Sequence, residues 1–357
     1  MSKLKTKIIG AIILVVVIVS IGAYQFLSAK KVNTITVSGY LGGEKIGLFE
    51  DQEVQKILEK KYHLKVNFTK AGSIEMIRQD SKEMDFLFPS SQTALELFNA
   101  TKKDKLYKSE IVFNSPIVIY TWKPIADKLI ENGVVRYENN SYYIANTSKL
   151  IDLVVSRKKW NEIGLNQLFG YVTIQSTDPN KSNSGNMFMG LVANTLNNSE
   201  VVDRSTVDTI IPKLKDFFGK IGYMEHSSSD LFEQYLKTGM GAKSMIAGYE
   251  NQMIEFSLEH PTDWASVKNQ VAVLYPEPTV WSSHPLIALN ENGAKLIEAM
   301  KDSDIQKIAW EKHGFRTGVN SSVNTSIEGF YGIPQAINSV IPMPNQDVMI
   351  KMMDGIK

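Results

Sequence analysis

Short β-branched runs alternate with helical runs along most of this chain, and glycine- or serine-rich loops separate them. That alternation implies a mostly parallel sheet covered by helices on both faces. Val32 to Val37, VNTITV, reads as a strand and breaks at Ser38-Gly39-Tyr40-Leu41-Gly42-Gly43. Val54, Ile57, Leu58 and Tyr62 follow at helical spacing within 50–62. Leu64 to Phe68 alternates as a strand, and Ser73 is placed to cap a helix through about Lys82. Asp85 to Phe88 is a further apolar run, ended by Pro89-Ser90-Ser91, with a helix through Phe98 beyond it.

Two longer stretches differ from this pattern. Residues 111–122, IVFNSPIVIYTW, are β-rich but interrupted at Ser115-Pro116, and a proline there favours an edge or a bend. Residues 273–285, VLYPEPTVWSSHP, have the same character. Both read as chain crossings between two lobes. Between them, Val134–Arg136 and Tyr142–Ala145 suggest a hairpin around Asn139-Asn140. Strands are expected at Tyr171–Gln175 and Lys243–Ala247. Helices are expected at Asn183–Asn197, 206–218 and 229–238. Asn290 and Ser303 should cap the last two helices, with Ser303-Asp304-Ile305-Gln306 fitting a capping box. The body carries no internal repeat and no low-complexity linker.

At 357 residues the chain exceeds what one compact core usually holds. The N-terminal segment sets it apart from a plain soluble protein. Lys3, Lys5 and Lys7 precede an apolar run from Ile8 to Leu27, and about 20 such residues suffice to cross a bilayer core. Leading lysines favour a cytoplasmic N-terminus, which leaves the body on the extracytoplasmic side. The expected localisation is the cell membrane, single-pass. Leu27-Ser28-Ala29 also resembles a weak cleavage site.

The chain has no cysteine, which excludes disulfides, thiolate metal sites and a lipid-modified cysteine anchor. Formal net charge is +1, so the chain has no field for a polyanion, and nucleic acid is not an expected partner. The five histidines, His63, His226, His260, His284 and His313, lack metal-ligand spacing, so no metal or cofactor is expected. No Gly-x-Ser-x-Gly elbow is present. Gly239-Met240-Gly241-Ala242-Lys243-Ser244 departs from a phosphate loop: no glycine precedes the lysine, and a strand follows it.

QSTDPNKSNSGNMF at 175–188, AGYENQ at 247–252, VLYPEPTVWSSHP at 273–285 and IQKIAWEKHGFR at 305–316, with DFLFPSS at 85–91, together resemble the type II periplasmic-binding-protein family, in particular its bacterial extracellular solute-binding members. The order and spacing of these stretches carry the resemblance, over roughly 33 to 320. It implies an α/β, two-lobed periplasmic-binding-protein-like fold with two crossover strands, here preceded by one N-terminal transmembrane helix. The domains are then 1–31 for lysines and anchor, 32–115 plus 273–320 for lobe 1, 116–272 for lobe 2, and 321–357 as an extension without an assigned place.

Ligands in open α/β sheets sit beyond the carboxyl ends of strands, and several loops qualify. Ser38 and Gly39 follow the first expected strand, and Ser90 and Ser91 follow the third. Ser176 and Thr177 end a strand before Asn183, Ser184 and Gly185 open a helix, whose free N–H groups and dipole favour an anion or carboxylate. Tyr249 follows the strand at 243–247. The implied function is capture of a small polar or anionic solute without catalysis, for the permease of an ABC-type transporter, with the membrane engaged through residues 8–27. The alternative is a membrane-tethered sensory or assembly module that uses the same fold to contact a partner protein.

Overall fold

The computed structural model describes Val15 and residues 33–317, 327, 330 and 332–357. The chain divides into two compact units, Met1–Ile35 and Thr36–Lys357. The expected anchor at Ile8–Leu27 lies outside the described residues except for Val15. Among the described residues no helix is long and apolar enough to cross a membrane.

The body is a mixed α/β structure. Its strands are β1 (Ile35–Leu41), β2 (Leu64–Lys70), β3 (Phe86–Phe88), β4 (Lys108–Trp122), β5 (Val135–Glu138), β6 (Ser141–Ile144), β7 (Met245–Tyr249), β8 (Val271–Pro276), β9 (Trp281–Ala288) and β10 (Arg316–Thr317). They run in the order β2-β1-β3-β9-β4-β8-β6-β5, with β7 and β10 also paired to β4. β1 and β3 are parallel, as are β6 and β8, while β9 is antiparallel to both β3 and β4.

β4 is the longest of these strands and changes partners along its length. Lys108 to Pro116 face β9, whereas Ile117 to Trp122 face β7 and β8. The change falls at Pro116, which has no N–H to give to a ladder. Its carbonyl accepts from Glu250 N at 3.2 Å, and the next residue, Ile117, donates to Val280 O at 3.1 Å. The expected interruption at Ser115-Pro116 is therefore a switch of partners within one continuous strand. The second expected crossing resolves into β8, a turn and β9. β8 belongs with the second part of the sheet and β9 with the first.

Separate apolar cores lie on the two sides of this switch. Around β3 and β9 the first half buries Met76, Ile77, Leu87, Phe98 and Ile287. Around β7 and β8 a larger core includes Ile119, Leu129, Phe188, Leu214, Tyr235 and Leu274. The hairpin is present as expected, and Asn139 and Asn140 adopt φ of 50° and 62°, the left-handed values its tight turn requires.

Four local expectations are corrected. β1 extends to Leu41, so Ser38 and Gly39 are strand residues rather than a loop. The helix at 73 ends at Arg78 and starts from Gly72; the Ser73 hydroxyl is occupied by Ser90 N at 2.9 Å. Tyr171–Gln175 forms only isolated bridges, because Gln175 alone exchanges bonds with β7. Asp302, not Ser303, caps the last expected helix: its carboxylate accepts from Asp304 N at 2.9 Å.

Residues 332–357 pack onto the second core. Ile341 N donates to Thr279 O at 2.8 Å, and Thr279 N to Ser339 O at 3.0 Å. The helix Gln346–Gly355 buries Val348, Met349 and Met352 against the helix Val207–Ile221.

Candidate functional site

The carboxyl ends of β1 and β3, the middle of β9, the end of β7 and the start of the helix Asn183–Leu196 converge where the two halves meet. Asn183 makes the direct link. Its side-chain amide has two hydrogens; one goes to Ser90 O at 2.9 Å and the other to Tyr249 Oη at 2.8 Å. The same Ser90 carbonyl accepts from Ser282 Oγ at 2.5 Å. One backbone oxygen in the first half thus holds a helix start from the second half and a residue of the crossing strand.

Beside it lies a buried ion pair that the sequence reading did not single out. The turn after β1 carries Glu44 and Lys45. Lys45 is fully buried, and its ammonium meets the Glu44 carboxylate, Ser90 Oγ at 2.8 Å and His284 Nδ1 at 3.1 Å. It also sits 4.9 Å from the centre of the Phe88 ring. Ser90 Oγ in turn donates to Glu44. Burial holds the Lys45 ammonium below the ordinary lysine range, against the pull of Glu44. For Glu44 burial acts upward, but the charge of Lys45 and the hydrogen bonds from Lys45 and Ser90 outweigh it and bring the carboxyl down to about 2. His284 falls well below the usual imidazole range, first through burial and then through the charge of Lys45. A neutral ring that accepts from Lys45 at Nδ1 carries its proton on Nε2, and that buried atom has no hydrogen-bond partner.

The other expected site residues are placed as follows. Ser91 is buried at the start of the helix Gln92–Lys102 and makes no side-chain cap. Ser176 Oγ turns to the Thr177 carbonyl at 3.1 Å. Thr177 Oγ1 and Ser184 Oγ bond each other at 2.8 Å, both buried, which fastens the helix start to the chain before it. Tyr249 is buried, and burial raises its phenol far above the usual range, with the Glu44 charge adding to the effect. Ser38 lies apart from this group, joined through its backbone to the Asp85 carboxylate at 2.8 Å. Two glycines have packing roles: a Cβ on Gly39 would lie 2.3 Å from Phe86 O, and one on Gly185 would lie 2.2 Å from Thr177 O.

The structure therefore brings together Ser90, Asn183 and Tyr249, with Thr177 and Ser184 behind them, and adds Glu44, Lys45, Ser282 and His284. A signal for the added pair was present in the sequence: a Glu-Lys directly after Gly-Gly at the end of the first strand, followed by the apolar Ile46-Gly47-Leu48-Phe49. The helix Asn183–Leu196 has no side-chain cap and no acidic residue in its first turn, which leaves its N-terminal N–H groups to other acceptors.

No family model matches the sequence, and no curated protein matches it. Solved structures do match. A protein from Bordetella parapertussis described as an extracellular solute-binding protein superposes with a TM-score of 0.59, at 14% identity, over 90% of this chain and 96% of its own. The chain has the fold of the type II periplasmic binding proteins. The same fold relates it to the periplasmic binding protein AfuA from Actinobacillus pleuropneumoniae, solved with fructose-6-phosphate, at a TM-score of 0.55 and 12% identity over 91% of this chain and 97% of that one. It also relates it to the sulfate-binding protein SubI from Mycobacterium tuberculosis H37Rv, at 0.51 and 14% over 82% and 88%.

Proposed function

We propose that this chain is a membrane-anchored extracytoplasmic solute receptor that closes its cleft on a small polar or anionic solute and presents it to the permease of an ABC-type transporter, without catalysis. The observation that carries this reading is the Asn183 amide bridging Ser90 O and Tyr249 Oη across the two halves. A bridge of that kind makes closure depend on groups that also face the ligand position. The uncapped start of the helix Asn183–Leu196 supplies donors for an oxygen-rich or negative end. The names of the sulfate and fructose-6-phosphate structures point the same way. The lobes on this reading are 32–115 with the segment from β9 onward to about 320, and 116–272 extended through β8. β4 and the β8–β9 connection act as hinges.

Native mass spectrometry on the purified full-length chain should reveal a bound small molecule, and Asn183→Ala should lose it. Small-angle scattering should show the wild type more compact than Asn183→Ala. Equal radii together with no retained molecule in either protein would sink the receptor reading. The anchor is tested separately. Full-length protein should stay with membranes through carbonate extraction, and recovery of mature protein beginning near Lys30 in the medium would show cleavage instead.

A further inference from the structure

Residues 157–172 form a compact loop that closes on itself at its base. Lys159 and Tyr171 make an antiparallel bridge, Val172 N donates to Lys158 O at 2.7 Å, and Trp160 N donates to Gly170 O at 3.2 Å. Within the loop Trp160, Ile163, Leu165 and Leu168 are buried in the second core. Four apolar side chains therefore root it and fix its shape. The tip breaks this pattern. Phe169 follows the buried Leu168 and is left 94% exposed, the highest value for a large apolar side chain among the described residues. Gly170 turns the chain back after it at φ 81°, a left-handed conformation that glycine adopts without strain. Tyr171, next along, is also exposed.

The second observation is charge. Arg157, Lys158 and Lys159 are consecutive and exposed at the base of the loop, and Glu162 is the one acid between 157 and 172. Glu162 meets Lys158 at 3.3 Å and accepts from Lys159 N at 2.7 Å, so it balances one cation of the three. Lys128, which lies against Gly164 from the neighbouring helix, is matched by Glu131 at 2.5 Å. The Arg157 guanidinium carbon lies 4.1 Å from the centre of the Tyr171 ring, which puts positive charge directly beside exposed aromatic surface. An apolar tip alone would suit any apolar surface. Aromatic rings flanked by a net positive base suit the boundary of an anionic bilayer, where rings enter between headgroups and basic side chains meet lipid phosphate. Protein–protein interfaces, by contrast, are depleted in lysine.

We propose that the loop 157–172 is a docking surface for an anionic lipid bilayer, with Phe169 entering the interface and Arg157, Lys158 and Lys159 facing the headgroups. This goes beyond the receptor reading, because it involves neither the cleft nor its solute. The chain has no cysteine, so one introduced thiol takes one label. Gln167→Cys, exposed in the same loop, carries a fluorophore close to Phe169, and Asn99→Cys, also exposed, carries it on the first half. Full-length protein is placed in nanodiscs of phosphatidylcholine, alone or mixed with phosphatidylglycerol, and quenching by neutral acrylamide is measured. The label at 167 should be shielded in the anionic discs and not in the neutral ones, while the label at 99 should be quenched equally in both. Phe169→Ser should abolish the shielding. Lys159→Gln should weaken it about 5-fold, the contribution of one basic residue at an anionic surface. Both side chains are exposed, so neither variant disturbs the core. If the full-length protein does not remain in discs, the anchor reading fails, and the same labels are read with phosphatidylglycerol vesicles added to the protein. No shielding at 167 by anionic lipid in either format would overturn the proposal and leave the patch to a protein partner. Shielding that is equal in neutral lipid, shared by the label at 99, or indifferent to Phe169→Ser would overturn it too.

Discussion

Two buried ion pairs in this molecule look alike in composition and differ in completeness. Arg316 in β10 and Glu250 after β7 form a closed set. Arg316 Nε and Nη2 reach the two Glu250 oxygens at 2.6 and 2.7 Å, and Tyr275 Oη donates to the same carboxylate at 2.7 Å. Two further guanidinium hydrogens go to Gln335 O at 2.9 Å and Pro334 O at 2.6 Å, and the guanidinium carbon lies 4.9 Å from the centre of the Trp310 ring. Four of the five guanidinium hydrogens and both carboxylate oxygens are used, and the partners come from β7, β8, β10 and the C-terminal segment. The pair of Lys45 and Glu44 is open by contrast. It holds an orphan His284 Nε2, Glu44 keeps some exposure, and an acidic cavity adjoins it. A saturated pair fixes architecture. An unsaturated one leaves hydrogen-bonding capacity unused.

The comparison is most directly broken by removing one charge from each pair. Arg316→Met leaves Glu250 buried without its partner and should cost roughly 3–5 kcal/mol in denaturant unfolding; a loss below about 1 kcal/mol would remove the architectural role. Lys45→Met should cost less, about 1–3 kcal/mol, because Glu44 can turn toward solvent. Its larger effect should be on retained solute, read by native mass spectrometry. If Lys45→Met is as destabilising as Arg316→Met and keeps its solute, the two pairs do the same job.

Gly185→Ala sharpens the comparison from the packing side. Its Cβ would strike the Thr177 carbonyl, and forcing a methyl into a packed site costs typically about 1–3 kcal/mol. A thermal melt equal to wild type would show that the helix start shifts freely. Asn183→Ala removes two hydrogen bonds at a partly exposed site and should cost about 1 kcal/mol, with cleft opening as its main signature.

Acidification gives the smallest and most specific effect. His284 titrates in the folded protein well below 6.5, so the unfolded chain takes up its proton first and stability falls as pH drops below about 6.5. Glu44 adds to this: its folded value near 2 against 4.5 gives stability that is present above 4.5 and lost as pH falls from 4.5 toward 2. Between pH 7 and 5 the first contribution dominates. His284→Gln should therefore flatten the dependence of melting temperature on pH in that interval. An unchanged slope would mean that His284 is not the titrating group.

Part of the group around Asn183 was legible as chemistry near element ends. Ser90 follows β3, Asn183 opens a helix, and Tyr249, expected just after a strand, is the last residue of β7; the three do meet. Ser38 and Gly39 were misplaced because β1 continues four residues beyond its β-branched core, carried by parallel pairing of Gly39 to Leu41 with β3. Pairing partners that lie 47 residues away leave no mark on local pattern. Lys45 was passed over for a related reason. A lysine in a loop reads as solvated, and only its enclosure by Phe88 and Ser90 from one distant segment and His284 from another makes it a buried charge.

The sequence by itself determined the elements: β-branched runs at 32–37, 111–122 and 271–275, the helix opening at Asn183, and the Asn-Asn hairpin. These follow from side-chain period and backbone preference, which act within a few residues. The tertiary structure alone decided which charges are closed and which are left open. Arg316 finds Glu250 across 66 residues of chain, and Lys45 finds His284 across 239. Whether a buried polar atom is satisfied depends on every group that packs around it, and those groups meet only when the chain has folded.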